Sequence, residues 1–195
     1  MSGRKRIAIL ASGGGSNAAA LMTAMQAPDF PAQAVLVFSN VPGAGVLAKA
    51  ADAGVPVQML HHKAYSDRDA FDQAVLAVLA PAKPDYLCLA GYLRILSPGF
   101  VRAYPGRILN IHPSLLPKFG GPGMHGRHVH EAVLAAGEKE SGATVHVVDE
   151  GVDSGAIVLQ QRVPVLASDT PESLAARVLV AEHQVYAAAL KKLCS

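Results

Sequence analysis

The sequence is short of charge, and what it has is nearly balanced. Charged residues make up 16% of its 195 positions, with 17 Lys and Arg against 15 Asp and Glu, for a formal net charge of +2. That balance argues against a nucleic-acid partner. The one basic cluster, Arg4-Lys5-Arg6, precedes the first apolar run and reads as a solvated start. No apolar run is long enough to span a bilayer, and nothing near Met1 resembles a secretory signal, so no membrane partner is expected. Cysteine is scarce. Cys88 in an apolar stretch and Cys194 at the tail make a poor disulfide pair, and a reducing cytoplasm is the expected location. Internal repeats, low-complexity segments and linkers are also missing, which predicts a single domain over residues 1–195. Hydrophobic residues are plentiful at 51%, enough to bury a sizeable core.

Short apolar runs alternate with helical patterns through the first 140 residues. "RIAILA" (6–11), "AVLVFSN" (34–40), "VPVQML" (55–60), "DYLCLAG" (85–91) and "RILNI" (107–111) read as strands. "SNAAALMTAMQ" (16–26), "AGVLAKAADAG" (44–54), "SDRDAFDQAVLAVLA" (66–80, entered through a capping Ser or Asp) and "GRHVHEAVLAAG" (126–137) read as helices. The pattern then changes. "GATVHVVD" (142–149) and "AIVLQQRVPV" (156–165) have no helix between them, and a last helix opens at Thr170-Pro171 and runs to about Leu193. The expected fold is α/β: a doubly wound, mostly parallel sheet with helices on both faces and an antiparallel part near the C-terminus.

The first strand ends in "ASGGGSNA", where Gly13, Gly15 and Ala18 fit the loose dinucleotide pattern G-x-G-x-x-G/A. A nicotinamide site would also want an acid ending the second strand, and that strand ends in Ser39-Asn40. Bare glycine amides with Gly15, Ser16 and Asn17 at a helix N-terminus suit a phosphate monoester better. Such a site is sensitive to added Cβ atoms more than to charge. The alternative is a turn that needs glycine only for its geometry.

Asn110 and His112 stand two apart at a strand end, and residues i and i+2 of an extended segment share a side. Pro113 keeps His112 extended. In "VVDEGVDSG" (147–155), Asp149 and Asp153 bracket a loop after another strand, and ligands gather at strand carboxyl ends in open sheets. An aspartate beside His112 would hold the ring and raise its pKa; the plainer reading of both acids is an Asx cap. Five of the eight histidines fall between 112 and 146. On a helix His128 and His130 diverge by about 200°, and no zinc-binding spacing is present, so no metal is expected. His146 reads as a core ring or one that supports the site. Glu182 sits at the edge of the last helix's apolar stripe, Leu174, Val178, Ala181, Val185 and Ala189. Turned partly inward it needs a partner: a Lys or Arg, or a cationic or hydroxylated substrate.

Taken in order, "SGGGSN", "GYLRILSP", "NIHPSLLPKF" and "VDSG" resemble the phosphoribosylglycinamide formyltransferases, folate-dependent transformylases of purine synthesis. The resemblance spans about Arg6 to Leu193. "NIHPSLLP" is specific for folate formyl-transfer domains as a group, and its H-P-S-L-L-P run is shared with methionyl-tRNA formyltransferase, which normally carries a C-terminal RNA-binding domain. Formyltetrahydrofolate deformylase normally carries an N-terminal regulatory domain, and neither addition is expected here. The resemblance implies Asn110, His112 and Asp153 as a catalytic trio, and Gly15, Ser16, Asn17 and Glu182 as the phosphate and ribose site. It implies a folate pocket of Leu93, Arg94, Ile95, Leu96 and Asn110 with the loop Asp149, Glu150, Gly151, Val152 and Asp153, and Arg68 on the folate tail. The segment "GGPGMHGRH" (120–128) is longer and richer in glycine than in the shortest relatives.

The implied co-substrate is 10-formyltetrahydrofolate, with no metal, and the other partners are small molecules acting on a monomer or homodimer. The glycinamide amine would attack the formyl carbon. Asn110 and protonated His112 would stabilise the formyl oxyanion, one such donor typically contributing about 3 kcal/mol. Asp153 would hold His112 and relay the proton. The competing readings are a hydrolase that releases formate from the same donor, and a non-catalytic module binding a phosphorylated ligand.

Overall fold

Strand β1, Lys5–Ala11, shows why its sequence is apolar without alternation. Ile7, Ile9 and Ala11 pack on one face of the sheet and Ala8 and Leu10 on the other, and all five are fully buried. Helices cover both faces. On the first lie α1 (Ser16–Met25), α2 (Gly45–Asp52) and the long α6 (Pro171–Cys194), joined by Val133 of α5 (Arg127–Ala135). On the second lie α3 (Arg68–Leu79) and the short α4 (Pro98–Ala103), through Phe71, Val75, Leu79 and Phe100. The computed structural model describes residues 3–195. Met1 and Ser2, the start of the single domain expected over 1–195, lie outside them.

The remaining strands are β2 (Ala32–Ser39), β3 (Val57–Met59), β4 (Tyr86–Leu89), β5 (Ile108–His112), β6 (Glu140–Val147) and β7 (Ile157–Pro164). Their order is β3-β2-β1-β4-β5-β6-β7. The first five strands are parallel, and β6 pairs antiparallel with both β5 and β7. This is the expected doubly wound, mostly parallel sheet with an antiparallel end. Chain direction across the sheet reverses between β1 and β4, the position at which open α/β sheets form a crevice.

Local chemistry sets the helix ends. Asp67, rather than Ser66, caps α3, accepting from the Ala70 N–H at 2.8 Å. Thr170 and Ser173 exchange side-chain and backbone bonds in a capping box that starts α6. Helix α4 was not expected from the sequence, although it carries a start signal: Ser97 accepts from the Phe100 N–H at 3.2 Å and Pro98 takes the first helical position. β3 is shorter than the expected 55–60, because it is an edge strand whose three residues are exposed. No helix of the described residues is long and apolar enough to cross a membrane.

Candidate active site

A cleft of about 560 Å³ opens over the ends of β4 and β5. Asn110 and His112 reach it from β5, as their two-residue spacing requires. Asp153 comes by a different route from the one expected. Because β6 is antiparallel, its last residue, Val147, pairs with Leu109, three residues short of His112. The 148–156 loop must therefore double back along β5 to reach the crevice. Gly155 permits the return, since a Cβ there would collide with the Val147 carbonyl. The loop holds Asp153 at φ 55, a left-handed backbone that few residues adopt but aspartate tolerates.

The result is a compact polar cluster. Asp153 Oδ2 lies 3.5 Å from His112 Nδ1 and accepts from the Gly121 N–H at 3.0 Å. His112 Nε2 donates to the Phe119 carbonyl at 2.8 Å. His146, opposite Asn110 in the ladder, places Nε2 3.2 Å from Asn110 Nδ2 and 3.6 Å from Asp153 Oδ1. His146 thus supports the site, one of the two readings its sequence context allowed.

The expectation for His112 needs correcting. Burial pushes its pKa below 6.5, and this outweighs the upward pull of Asp153 and of the Phe119 carbonyl. The sequence pairs an acid with the ring but carries no measure of how dry the ring is. For Asp153, burial pushes the carboxyl up, but the neighbouring charge of His112 and the Gly121 N–H help to hold it below the usual range.

Glu182 is 9% exposed and lies on the cleft wall. Its partner is the Asn17 side-chain N–H, at 2.6 Å, so the plainer expectation of a Lys or Arg partner does not hold. Burial raises the Glu182 pKa, and the Asn17 bond only partly offsets it.

The other expected residues divide. Leu93, Arg94, Ile95, Leu96, Asp149, Gly151 and Val152 line the cleft, and Leu93 and Ile95 are 72% and 57% exposed. Arg94 stacks over the Phe71 ring at 5.0 Å. Asp149 serves the loop itself, accepting from the Gly151 N–H and the Ser154 hydroxyl. Glu150 points elsewhere and pairs with Arg102 at 2.7 Å. Arg68 opens α3 on the exposed surface and does not line the cleft. Gly15 and Ser16 lie outside the lining too, while Asn17 lies within it. Gly15 has φ 71 and abuts Val46, and Gly13 and Gly14 are open to solvent.

Several cleft residues had no assigned role in the sequence. Tyr92, Met124, His125 and His130 line it, along with Gly121 and its neighbours in the 120–128 segment. Asn17 Oδ1, Tyr92 Oη, Arg94 Nε and His130 Nδ1 are buried with no protein partner among the described residues. These are groups a bound ligand can satisfy. Among the described residues no cluster of three or more His, Cys, Asp or Glu side chains is placed to hold a metal ion.

Fold and site together define an α/β enzyme class with an amide, an imidazole and a carboxylate gathered in the crevice of an open sheet. The formyl transferase family model matches residues 5–190. The phosphoribosylglycinamide formyltransferase of Escherichia coli (strain K12) is 41% identical over 180 residues, covering 92% of this chain and 82% of that protein. The crystal structure of phosphoribosylglycinamide formyltransferase from Brucella melitensis superposes with a TM-score of 0.92 at 53% identity, covering 98% and 96% of the two chains. The trifunctional purine biosynthetic protein adenosine-3 of Drosophila melanogaster is 48% identical over 192 residues. The chain spans 14% of that protein's length, and 18% of its human counterpart's. This chain belongs to the formyl transferase family, in its phosphoribosylglycinamide formyltransferase branch.

Proposed function

We propose that this chain transfers the formyl group of 10-formyltetrahydrofolate to the amine of N1-(5-phospho-D-ribosyl)glycinamide, a step of purine (IMP) biosynthesis. The observation that carries the reading is the meeting of Asn110, His112 and Asp153 in one cleft, with His112 Nδ1 3.5 Å from Asp153 Oδ2. Attack of the amine on the formyl carbon leaves negative charge on the formyl oxygen and positive charge on the amine nitrogen. Asn110 donates an N–H to that oxygen. His112, its pKa lowered by burial, enters neutral with its proton on Nε2, and its Nδ1 lone pair is free beside Asp153. The His112–Asp153 pair takes the amine proton, and the imidazolium so formed adds positive charge beside the oxyanion. Returning that proton to the departing folate nitrogen balances the step, and no covalent enzyme intermediate is needed.

Asn17 and Glu182 would hold the ribose, and the amides of Gly13 to Asn17 at the α1 N-terminus the phosphate. The folate would lie against Leu93 to Leu96 and the 149–153 loop. The small-molecule partners suit a monomer or homodimer in the cytoplasm. The test follows loss of 10-formyltetrahydrofolate with and without phosphoribosylglycinamide. Turnover and formylated product are expected only with both. Equal loss without the amine would favour a hydrolase, and tight binding without transfer a non-catalytic module.

A further inference from the structure

Asn110 can serve an oxyanion only if its amide presents nitrogen, not oxygen, to the reacting group. A lone asparagine on a cleft wall has no such bias, because a half-turn of the terminal torsion exchanges the two. The structure supplies the bias from the next strand. His146 is 2% exposed and stands directly across from Asn110 in the β5–β6 ladder. Its Nδ1 lies 3.1 Å from the Val147 carbonyl oxygen. A carbonyl only accepts, so Nδ1 carries the ring proton. In the neutral ring Nε2 is then a lone pair, and it sits 3.2 Å from Asn110 Nδ2. The only amide orientation that suits a lone pair turns the nitrogen toward it.

We propose that His146 is a positioning residue for Asn110. As the neutral ring protonated at Nδ1, it accepts one N–H of the amide and so fixes the other N–H toward the cleft, where the formyl oxygen gathers charge. The inference rests on the formyl-transfer reading above. The same Nε2 is 3.6 Å from Asp153 Oδ1, too far for a good hydrogen bond. The two neighbours ask opposite things of it, since Asn110 Nδ2 needs a lone pair and Asp153 needs a proton. The shorter contact goes to Asn110. Without His146 the amide is free to present Oδ1, an acceptor, to a developing anion, and the contact changes from stabilising to repulsive. This is an effect on the chemical step, not on substrate binding.

The experiment is a double-mutant cycle read in kcat, with His146→Phe and His146→Gln made in the native chain and in Asn110→Ala. Phenylalanine keeps the ring and loses both nitrogens. Glutamine places an amide oxygen the same number of bonds from Cα as Nε2, and can accept the Asn110 N–H. His146→Phe is expected to lower kcat by about tenfold or more with both KM values nearly unchanged, and His146→Gln to recover most of the loss. In the Asn110→Ala background His146→Phe should change kcat by less than about twofold. An equal loss in both backgrounds, or a glutamine variant no better than phenylalanine, overturns the proposal. Ring ¹⁵N NMR of the native protein provides a second reading that needs neither folded variants nor turnover. A neutral His146 protonated at Nδ1 is expected, and a charged ring or one protonated only at Nε2 overturns the proposal. Absence of formyl transfer by the native enzyme would instead sink the functional reading, leaving the ring measurement to stand alone.

Discussion

Asn110, His112 and Asp153 are each held by something other than the substrate. His112 is fixed by the Phe119 carbonyl and Asp153 by the Gly121 N–H, so both side chains are tied to the segment that follows β5. Asp149 is one turn of loop away, but its oxygen is already engaged with Gly151 and Ser154. Asn110→Ala, His112→Ala and Asp153→Ala should therefore each lower kcat by about a hundredfold or more, with melting temperatures close to the native value. Asp149→Ala should cost less, by loosening the loop that presents Asp153. Steady-state kinetics beside thermal melts decide the matter. An active Asp153→Ala with a dead Asp149→Ala would move the carboxylate role from Asp153 to Asp149.

At the scale of elements, the turn between β1 and α1 separates two jobs that its glycines share on paper. Gly15 adopts φ 71, and a Cβ there would stand 2.5 Å from Val46 Cγ2 on α2, so Gly15 is required by packing. It is a poor probe of phosphate binding, because Gly15→Val would strain the fold whatever the ligand. A Cβ at Gly13 meets nothing within 4 Å. Gly13→Val should leave the melting temperature within a few degrees while raising KM for phosphoribosylglycinamide by about tenfold, with binding of a folate analogue little changed. Equal weakening of both ligands would remove the phosphate role from this turn. The same turn is tied to the Leu93–Leu96 wall of the cleft, since the Ser12 hydroxyl accepts from the Leu93 N–H at 2.9 Å and donates to Asn40 at 2.6 Å.

For the whole molecule, buried titratable groups set how stability follows pH. Burial lowers the pKa of His112, His130 and His183 below 6.5. Between their folded values and 6.5 the unfolded chain binds more protons than the folded one, so stability rises with pH in that window and is lost as pH falls through it. Asp153, also lowered, adds a further loss below its usual 3.8. Glu182 acts in the opposite sense: its raised pKa favours the folded state below 4.5, an advantage lost as pH rises through the folded value. With three histidines against one carboxyl, the melting temperature should fall on acidification from pH 7 to pH 5. His130→Gln should make that fall shallower. Calorimetry at both pH values measures it, and a flat profile would contradict the balance.

Much of this was legible in the chain. Runs such as "RIAILA", buried on both faces, announce a parallel sheet, and the missing helix between residues 142 and 165 announces its antiparallel end. Asn110 and His112 could be paired because strand geometry alone puts i and i+2 on one side. Helix α4 was missed although Ser97-Pro98 signalled it, because six residues are too few to show a period. Other features depended on packing between distant segments. The Asn17–Glu182 bond joins residues 165 positions apart. Asp153 reaches His112 only because the loop after an antiparallel strand turns back, and Glu150, three residues earlier in the same loop, faces Arg102 instead. The direction of the His112 pKa, and the contact of the His146 ring with the Asn110 amide, were likewise beyond reach. Periodicity records which face of a segment avoids water. How far a side chain is dried, and which group from elsewhere meets it, depends on contacts that form only when the whole sheet and its loops are assembled.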